Sequence, residues 1–484
     1  MDDLLNNAWL VLAAHFALAV TSAGHALLYK RDPRAALGWI AVSFAYPIVG
    51  PLLYYLFGIN RLRTRAHQLK GEPLRRLKIG FEGPEMFNTF DQDMRLPELV
   101  AHPDFAALAR SSAAVTHRTL ATGNRLAPFF SGEEAYAAML RAIEQSRQSV
   151  CIATYIFETN QSGLEFIDAL VAAQRRGVEV CVLLDGVGEW YSLPRAGSLL
   201  KSEGIKVARF VPPRILPPSI HVNLRNHRKL LVVDGVTGFT GGMNIGDRHL
   251  RQRPARRNET ADIHFQVEGP VVEQLQAVFD EDWLFAAREQ LQHSHQSPRN
   301  AGNAICRVVT DGPNEDLGKL AMIITGAVAL ARKRVAIMTP YFLPPPELIN
   351  TLQAAALRGV EVSVILPQKS NQPLAHWATR NMLWELLQYG VRVYYQPSPF
   401  AHSKLLLIDD NYAHIGSANL DPRSLRLNFE IVVEVFDQDF VESLLKHFDR
   451  IRSLSAQESL AAVDGRGLPA RIRDATAWLF SPYL

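Results

Sequence analysis

The stretch Arg176-Gly-Val-Glu-Val-Cys-Val-Leu-Leu184 recurs almost unchanged at Arg358-Gly-Val-Glu-Val-Ser-Val-Ile-Leu366. An internal repeat of this kind implies two copies of one supersecondary unit and restricts the folds the chain can adopt. Each copy follows an apolar-periodic stretch that predicts a helix (residues 163–175 and 346–357) and ends in a β-branched run that predicts a buried strand. Upstream lie two more predicted strands, Val150-Cys-Ile-Ala-Thr-Tyr-Ile-Phe157 and Val335-Ala-Ile-Met-Thr-Pro-Tyr-Phe342, each after a helical segment. Strand, helix, strand therefore occurs twice, which calls for α/β layering with central strands covered on both faces. At 484 residues the chain is long enough for two core-forming units or one large pseudo-symmetric one. The polar residues 290–303 have linker composition and fall between the copies. The expected division is a hydrophobic hairpin (1–60), a basic juxtamembrane linker (61–124), a first half (125–289), the linker (290–303) and a second half (304–484).

A second duplication carries the chemistry. His227-Arg-Lys229-Leu-Leu-Val-Val-Asp234 is followed after six residues by Gly241-Gly-Met-Asn244, and His402-Ser-Lys404-Leu-Leu-Leu-Ile-Asp409 after six residues by Gly416-Ser-Ala-Asn419. On a strand, His and Lys two apart share one face. Such a face suits a phosphate: Lys is a point charge for a phosphoryl oxygen, the Asn amide adds donors, and the glycines admit close backbone approach. The apolar tetrad before each Asp reads as buried strand. Asp234 and Asp409 come at or past its end, where they are expected to position loop groups rather than touch substrate. A lone strand histidine is as readily structural as catalytic, but packing does not ask for Lys on a buried face twice at identical offsets.

The composition is 48% hydrophobic and 20% charged, tilted to the apolar side. The excess lies at the N-terminus. Residues 8–28 form a run of about the 20 residues that cross a bilayer, broken only by His15, Thr21, Ser22 and His25. Asp2 and Asp3 precede it and no Lys or Arg does, which argues against a cleaved signal peptide. Residues 35–57 are equally apolar but contain Pro47, Gly50 and Pro51, so this segment is expected to span with a kink or to re-enter. Lys30, Arg31 and Arg34 lie between the two, and Arg61, Arg63, Arg65, Lys70, Arg75, Arg76 and Lys78 follow. The heavier second cluster places the body after residue 57 in the cytoplasm; a simple two-pass hairpin would put the first cluster outside, and re-entry removes that conflict. Lys and Arg beside an anionic leaflet gain about 1 kcal/mol each.

A net charge of +3 gives no broad basic face, which together with the apolar segments disfavours a nucleic-acid partner. Cys151, Cys181 and Cys306 lie far apart in strand-like runs and are expected to be reduced core residues.

The paired His-x-Lys-x4-Asp motif resembles the phospholipase D superfamily, and its surroundings look like the bacterial cardiolipin synthase branch. The branch resemblance rests on Gly38-Trp-Ile40 and Leu53-Tyr-Tyr-Leu-Phe-Gly-Ile-Asn60, on Gly241-Gly-Met-Asn-Ile-Gly-Asp247, Val267-Glu-Gly-Pro-Val-Val272 and Gly416-Ser-Ala-Asn-Leu-Asp-Pro-Arg-Ser424, and on the closing Leu479-Phe-Ser-Pro-Tyr-Leu484. It covers nearly the whole chain and departs from the branch pattern at Thr260-Ala261-Asp262. It implies an α/β fold of two pseudo-symmetric phospholipase D-like halves, each a mixed β-sheet flanked by helices, behind an N-terminal transmembrane or re-entrant hairpin. It also implies one site shared by both halves, in which one motif histidine attacks phosphorus and the other serves as general acid and base. By matching position His227 is the expected nucleophile and His402 the acid/base, with the roles open to exchange. Lys229, Lys404, Asn244 and Asn419 are the expected phosphate-binding groups. Candidates to hold the histidines are Asp262 or Glu259 in the first half and Glu430 in the second. No metal or cofactor is implied. The expected substrates are phosphatidylglycerol and other membrane phospholipids, and the expected location is the bacterial inner membrane. A lipid hydrolase, or a transferase using another donor such as phosphatidylethanolamine, is the alternative, and a nuclease a lesser one.

Overall fold

The structure, a computed structural model, describes residues 2–30, 33–58, 103–212, 224–251, 259–292, 298–312 and 318–481. The basic cluster from Arg61 to Lys78 lies outside the described residues, as does part of the expected 290–303 linker. The chain forms two compact units, residues 1–77 and 78–484.

The first unit holds α1 (Asp2–Tyr29), α2 (Pro33–Ala45), α3 (Val49–Leu53) and a π-helical turn, Tyr54–Gly58. Within α1 the apolar window Leu12–Tyr29 is long enough to cross a membrane; among the described residues it is the one helix that is. With 13 residues α2 is about 20 Å long, short of the ~30 Å hydrocarbon layer. It packs on α1 through small buried residues, Ala19, Ala26 and Ala36, and through the rings of Phe16 and Phe44, 6.4 Å apart. Small residues let two helices approach closely where no water drives them together. Helix α2 ends before Pro47, which cannot donate the next helical hydrogen bond.

In the second unit a helix, α4 (Pro103–Thr116), lies in the stretch expected to be linker. Phe105, Leu108 and Ala109 recur at helical spacing and are buried in the second half's core. The first half then runs β1 (Ala121–Phe129), α5 (Gly132–Gln145), β2 (Ser149–Thr154), α6 (Gln161–Arg175), β3 (Glu179–Asp185), α7 (Ala196–Ser202) and β4 (Lys206–Phe210). It continues with β5 (Arg225–Asn226), β6 (Leu230–Val233), β7 (Thr237–Gly241), β8 (Thr260–Ala261), β9 (His264–Glu268) and α8 (Val271–Ala287). The second half repeats the plan with β10 (Ala304–Asp311), α9 (Lys319–Leu330), β11 (Arg334–Met338), α10 (Pro346–Leu357), β12 (Glu361–Pro367), α11 (Pro373–Leu387) and β13 (Arg392–Gln396). It continues with β14 (Phe400–Ala401), β15 (Leu405–Ile408), β16 (Tyr412–Gly416), β17 (Asn428–Phe436), α12 (Gln438–Ser453) and β18 (Ala456–Gln457), and closes with α13 (Leu460–Asp464) and α14 (Leu468–Leu479).

Among the described residues the halves share one 16-stranded sheet, ordered β18-β13-β12-β11-β15-β16-β17-β10-β1-β9-β7-β6-β2-β3-β4, with β5 added on β17. The repeated strands β3 and β12 are internal and run parallel to β2 and β11. Val150 and Ile152 of β2 join α5 and α6 in one apolar cluster, while Cys151 points to the other face and meets Gln276 of α8. Covering both faces of a parallel set is what its unbroken apolar runs require. Cys151, Cys181 and Cys306 are free and buried. A fully buried Arg307 pairs with Glu434, which also accepts from Ser112 and Tyr412 at 2.9 and 2.8 Å.

Candidate active site

Neither motif histidine lies within a strand. His227 and Lys229 occupy the extended link from β5 to β6, and His402 and Lys404 the link from β14 to β15. The backbone there pairs with the opposite half instead of continuing one strand. Strand β5 runs parallel to β17 and His227 N–H donates to the Phe429 carbonyl at 3.0 Å. Strand β14 runs parallel to β8 and His402 N–H donates to the Ala261 carbonyl at 2.8 Å.

These two crossings decide which acid meets which imidazole. Glu430 follows Phe429 and its carboxylate accepts from His227 Nδ1 at 3.0 and 3.1 Å. Asp262 follows Ala261, and its Oδ2 lies 2.7 Å from His402 Nδ1. Each histidine is thus held by the other half's acid, where sequence reasoning placed the candidate acids half by half. Among the described residues Glu259 contributes its carbonyl, which accepts from Phe400 N–H at 3.1 Å.

The two pairs are built differently. Glu430 is fully buried and also accepts from Ser417 Oγ at 2.5 Å and Asn428 Nδ2 at 3.2 Å. Burial alone would raise its pKa, but His227, Lys229 and Ser417 overcome that and hold it below the usual range. Asp262 is the shorter acid, bonded at Oδ1 by its neighbour Ile263 N–H at 2.8 Å, and burial raises its pKa. Gly242 occupies the place of Ser417; a Cβ there would sit 2.2 Å from Asp262 Oδ1.

Burial pushes His227 down to about 4 and His402 well below its ordinary value. Burial also brings Lys229 down to about 7 and Lys404 to about 8. His227 feels Lys404 as well as Lys229, and His402 feels Lys229 and His227, so the two motifs share one electrostatic centre. Lys229 Nζ donates to the His227 carbonyl at 2.7 Å, and Lys404 Nζ bonds the His402 carbonyl and lies 3.0 Å from His402 Nδ1.

Of the other motif residues, Asn244 Oδ1 accepts from Ile156 N–H at 3.2 Å, leaving its amide N–H groups as the donors. The Asn419 oxygen is buried without a hydrogen-bond partner among the described residues. Asp234 accepts from the backbone of Arg147, Gln148 and Ser149, and Asp409 from that of Arg332, Lys333 and Arg334. Both aspartates sit at positive φ, 52° and 51°, the left-handed region that Asp tolerates better than most residues.

Sequence reasoning missed several supports. Arg228, between His227 and Lys229, donates through Nη1 to Asp282 of α8 at 2.6 Å and through Nε to the Glu430 carbonyl at 3.1 Å. Tyr155 sets its ring edge-on to His227, with centroids 5.3 Å apart. Ser417 and Asn428 brace Glu430. Ser417 and Arg228 were visible inside the quoted motifs; Tyr155 and Asn428 carried no spacing signal.

Two buried His–Lys pairs on one centre, each imidazole backed by a carboxylate, define a phosphodiester-transferring enzyme of the two-motif kind. The chain belongs to the family described as cardiolipin synthase, phospholipase D-like domain, whose model matches residues 139–283 and 324–452. The phospholipase D-nuclease N-terminal model matches residues 17–58. Cardiolipin synthase 1 of Bacillus cereus is 31% identical over 473 residues, covering 94% of this chain and 90% of that protein. The major cardiolipin synthase of Bacillus subtilis is 29% identical, covering 94% of this chain and 95% of that protein. Among solved structures, the phosphatidylserine synthase of Haemophilus influenzae matches with a TM-score of 0.60 at 15% identity, over 78% of this chain and all of that one (100%). That likeness establishes the two-half fold.

Proposed function

We propose that this enzyme transfers a phosphatidyl group from one phosphatidylglycerol to the headgroup hydroxyl of another, giving cardiolipin and glycerol. The two His–Lys pairs on one centre carry the reading, and the unequal acids behind the histidines divide their roles. His227 donates its Nδ1–H to an ionised Glu430, which leaves a bare Nε2 lone pair to attack phosphorus. Asp262 Oδ2 lies 2.7 Å from His402 Nδ1, and the proton held by this buried pair passes through His402 Nε2 to the leaving glycerol oxygen. A phosphatidyl–His227 intermediate forms as the P–O bond breaks. The hydroxyl of the second lipid then returns its proton to the His402–Asp262 pair and displaces His227. Lys229, Lys404, Asn244 and Asn419 stabilise the phosphoryl oxygens through both steps.

A lipid substrate is supported by the rim beside Tyr155, where Trp190 and Tyr191 are each 59% exposed and Leu193 is 82% exposed. Aromatic residues with one apolar and one polar edge suit a membrane surface. The N-terminal apolar helix and the basic residues that follow it support a seat on the bacterial inner membrane with the catalytic body in the cytoplasm. Purified enzyme in mixed micelles with phosphatidylglycerol should release glycerol and form cardiolipin. Phosphatidic acid as the sole lipid product would overturn the assignment in favour of hydrolysis.

A further inference from the structure

The N-terminal unit contains a chain reversal that a two-pass hairpin would not contain. Phe44 of α2 lies beside Phe16 of α1, and Ile48 N–H donates to His15 Nδ1 at 3.2 Å. Six residues later the chain has moved back: the Tyr54 hydroxyl lies 2.7 Å from His25 Nδ1, and its ring is 5.5 Å from that of Trp39. His25 is ten residues beyond His15, about 15 Å along α1 toward its C-terminal end. The reversal pivots on Ile48, at φ 59° and ψ −44°, where Val49 N–H returns to the Pro47 carbonyl at 2.5 Å. This is a tight γ-turn, which a β-branched residue enters only under constraint.

Irregular backbone inside hydrocarbon is tolerated only where its polar groups are satisfied within the protein. Here they are. Tyr46 N–H bonds Val42, Pro47 has no N–H, Ile48 N–H bonds the His15 ring, Val49 N–H bonds Pro47 and Gly50 N–H bonds Tyr46. Gly50 permits the return, since a Cβ there would lie 2.1 Å from the Val42 carbonyl oxygen. From Lys30 to His15 the α1 rise is about 22 Å, so a turn at the level of His15 lies beyond the midplane of a ~30 Å layer without crossing it.

We infer that residues 33–58 are a re-entrant loop latched to a single membrane-spanning helix by His15 and His25. The Lys30–Arg34 cluster and the basic stretch beginning at Arg61 then share one face of the bilayer, and Asp2 and Asp3 lie on the other. Both basic clusters meet the anionic leaflet together, in keeping with the positive-inside bias. The inference rests on the membrane placement above and not on the identity of the lipid product.

The test is single-cysteine labelling of the full chain in right-side-out and inverted bacterial membrane vesicles with an impermeant maleimide. The native Cys151, Cys181 and Cys306 are buried and give little background. Asp3→Cys, Lys30→Cys and Arg61→Cys are introduced separately. Positions 30 and 61 should label from the same side, at least tenfold over the opposite orientation, with position 3 labelling from the other. Labelling of 3 and 61 from one side and 30 from the other would overturn the inference in favour of two full crossings. Glycerol release measured on the same vesicles reports the proposed reaction separately, so a two-pass pattern with intact turnover removes the topology alone. Tyr54→Phe and His15→Leu should make position 61 label from both sides, and an unchanged pattern in both would remove the histidine latch.

Discussion

Replacing Glu430 by Gln should nearly abolish turnover, with a smaller loss of substrate binding. The carboxylate accepts from His227 Nδ1, Ser417 Oγ and Asn428 Nδ2 in a fully buried site. A Gln amide keeps the volume but has one accepting oxygen. Ser417 bonds Oε2 and Asn428 bonds Oε1, so if the remaining oxygen stays with Ser417 the NH2 group takes the Oε1 place, 3.0 Å from His227 Nδ1, and forces that nitrogen to accept. The ring proton then moves to Nε2, the atom required to attack phosphorus. The comparable change behind a catalytic histidine in serine proteases costs about 10⁴-fold in kcat, so a loss of 10³- to 10⁴-fold is expected here, about 4 to 5 kcal/mol of barrier. Lys229 and Lys404 stay in place but lose the Glu430 charge that raises both of their pKa values, so KM for the donor should rise at neutral pH and return toward the parent value as the pH is lowered and both ammonium groups recharge.

The assay is cardiolipin formation in mixed micelles, followed by mass spectrometry, beside a phosphatidyl donor with a 4-nitrophenol leaving group that departs without a proton. On that donor Asp262→Asn should be nearly silent for leaving-group release, and Glu430→Gln should remain defective. With the same donor, His402→Ala should accumulate a phosphatidyl adduct on the peptide carrying His227. Changing the pH should not rescue kcat in Glu430→Gln. His227 sits at about 4 with Glu430 raising it, so the variant's histidine is neutral over an even wider range. Turnover within tenfold of the parent enzyme, or an adduct on His402 in His227→Ala, would refute the division of roles.

Lys229 and Lys404, brought to about 7 and 8, hold phosphoryl oxygens only when protonated, so kcat/KM should fall as pH rises through about 7 and more steeply above about 8. Bound phosphate favours their charged forms, and the same limb in kcat should appear at higher pH. Asp234→Ala and Asp409→Ala each strip an acceptor from three backbone N–H groups, so thermal unfolding should show each destabilised by about 3 kcal/mol. Arg307→Ala leaves Glu434 buried without its cation and should cost about 3 to 5 kcal/mol in the same assay, with the active-site pH profile unchanged. Gly242→Ala brings a methyl to 2.2 Å from Asp262 Oδ1 and should cut cardiolipin formation at least tenfold while sparing release of 4-nitrophenol.

What the sequence disclosed follows from which interactions are local. The repeat at Arg176 and Arg358 reads directly as β3 and β12 because a strand buried on both faces needs an unbroken apolar run. The predicted helix 346–357 is Pro346–Leu357 in the structure because Pro345 and Pro346 set its start and Arg358 precedes a glycine at φ 91°. The stretch Pro103–Thr116 was hidden because its apolar residues are mostly alanines, whose helical face is weak in hydropathy although it packs fully. The His–Lys pairs read as strand because alternation describes any extended chain, and only the partner reveals that β5 and β14 leave their own half.

That departure also accounts for the acids. Asp262 and Glu430 occupy like places in their halves, each directly after a residue whose carbonyl receives a motif histidine's N–H from across the interface. The partner of an imidazole is therefore set by backbone pairing between elements some 140 to 200 positions apart, with separations of 140 for His402–Asp262 and 203 for His227–Glu430. No spacing rule reaches that far. A half expressed alone would keep its His, Lys and Asn but lack the carboxylate that orients its ring. Duplication of the motif thus makes the two halves mutually dependent and not two copies of a working site. Once the acids belong to opposite halves they are free to differ, and Glu430 with Ser417 on one side and Asp262 with Gly242 on the other give identical histidines unequal proton affinities.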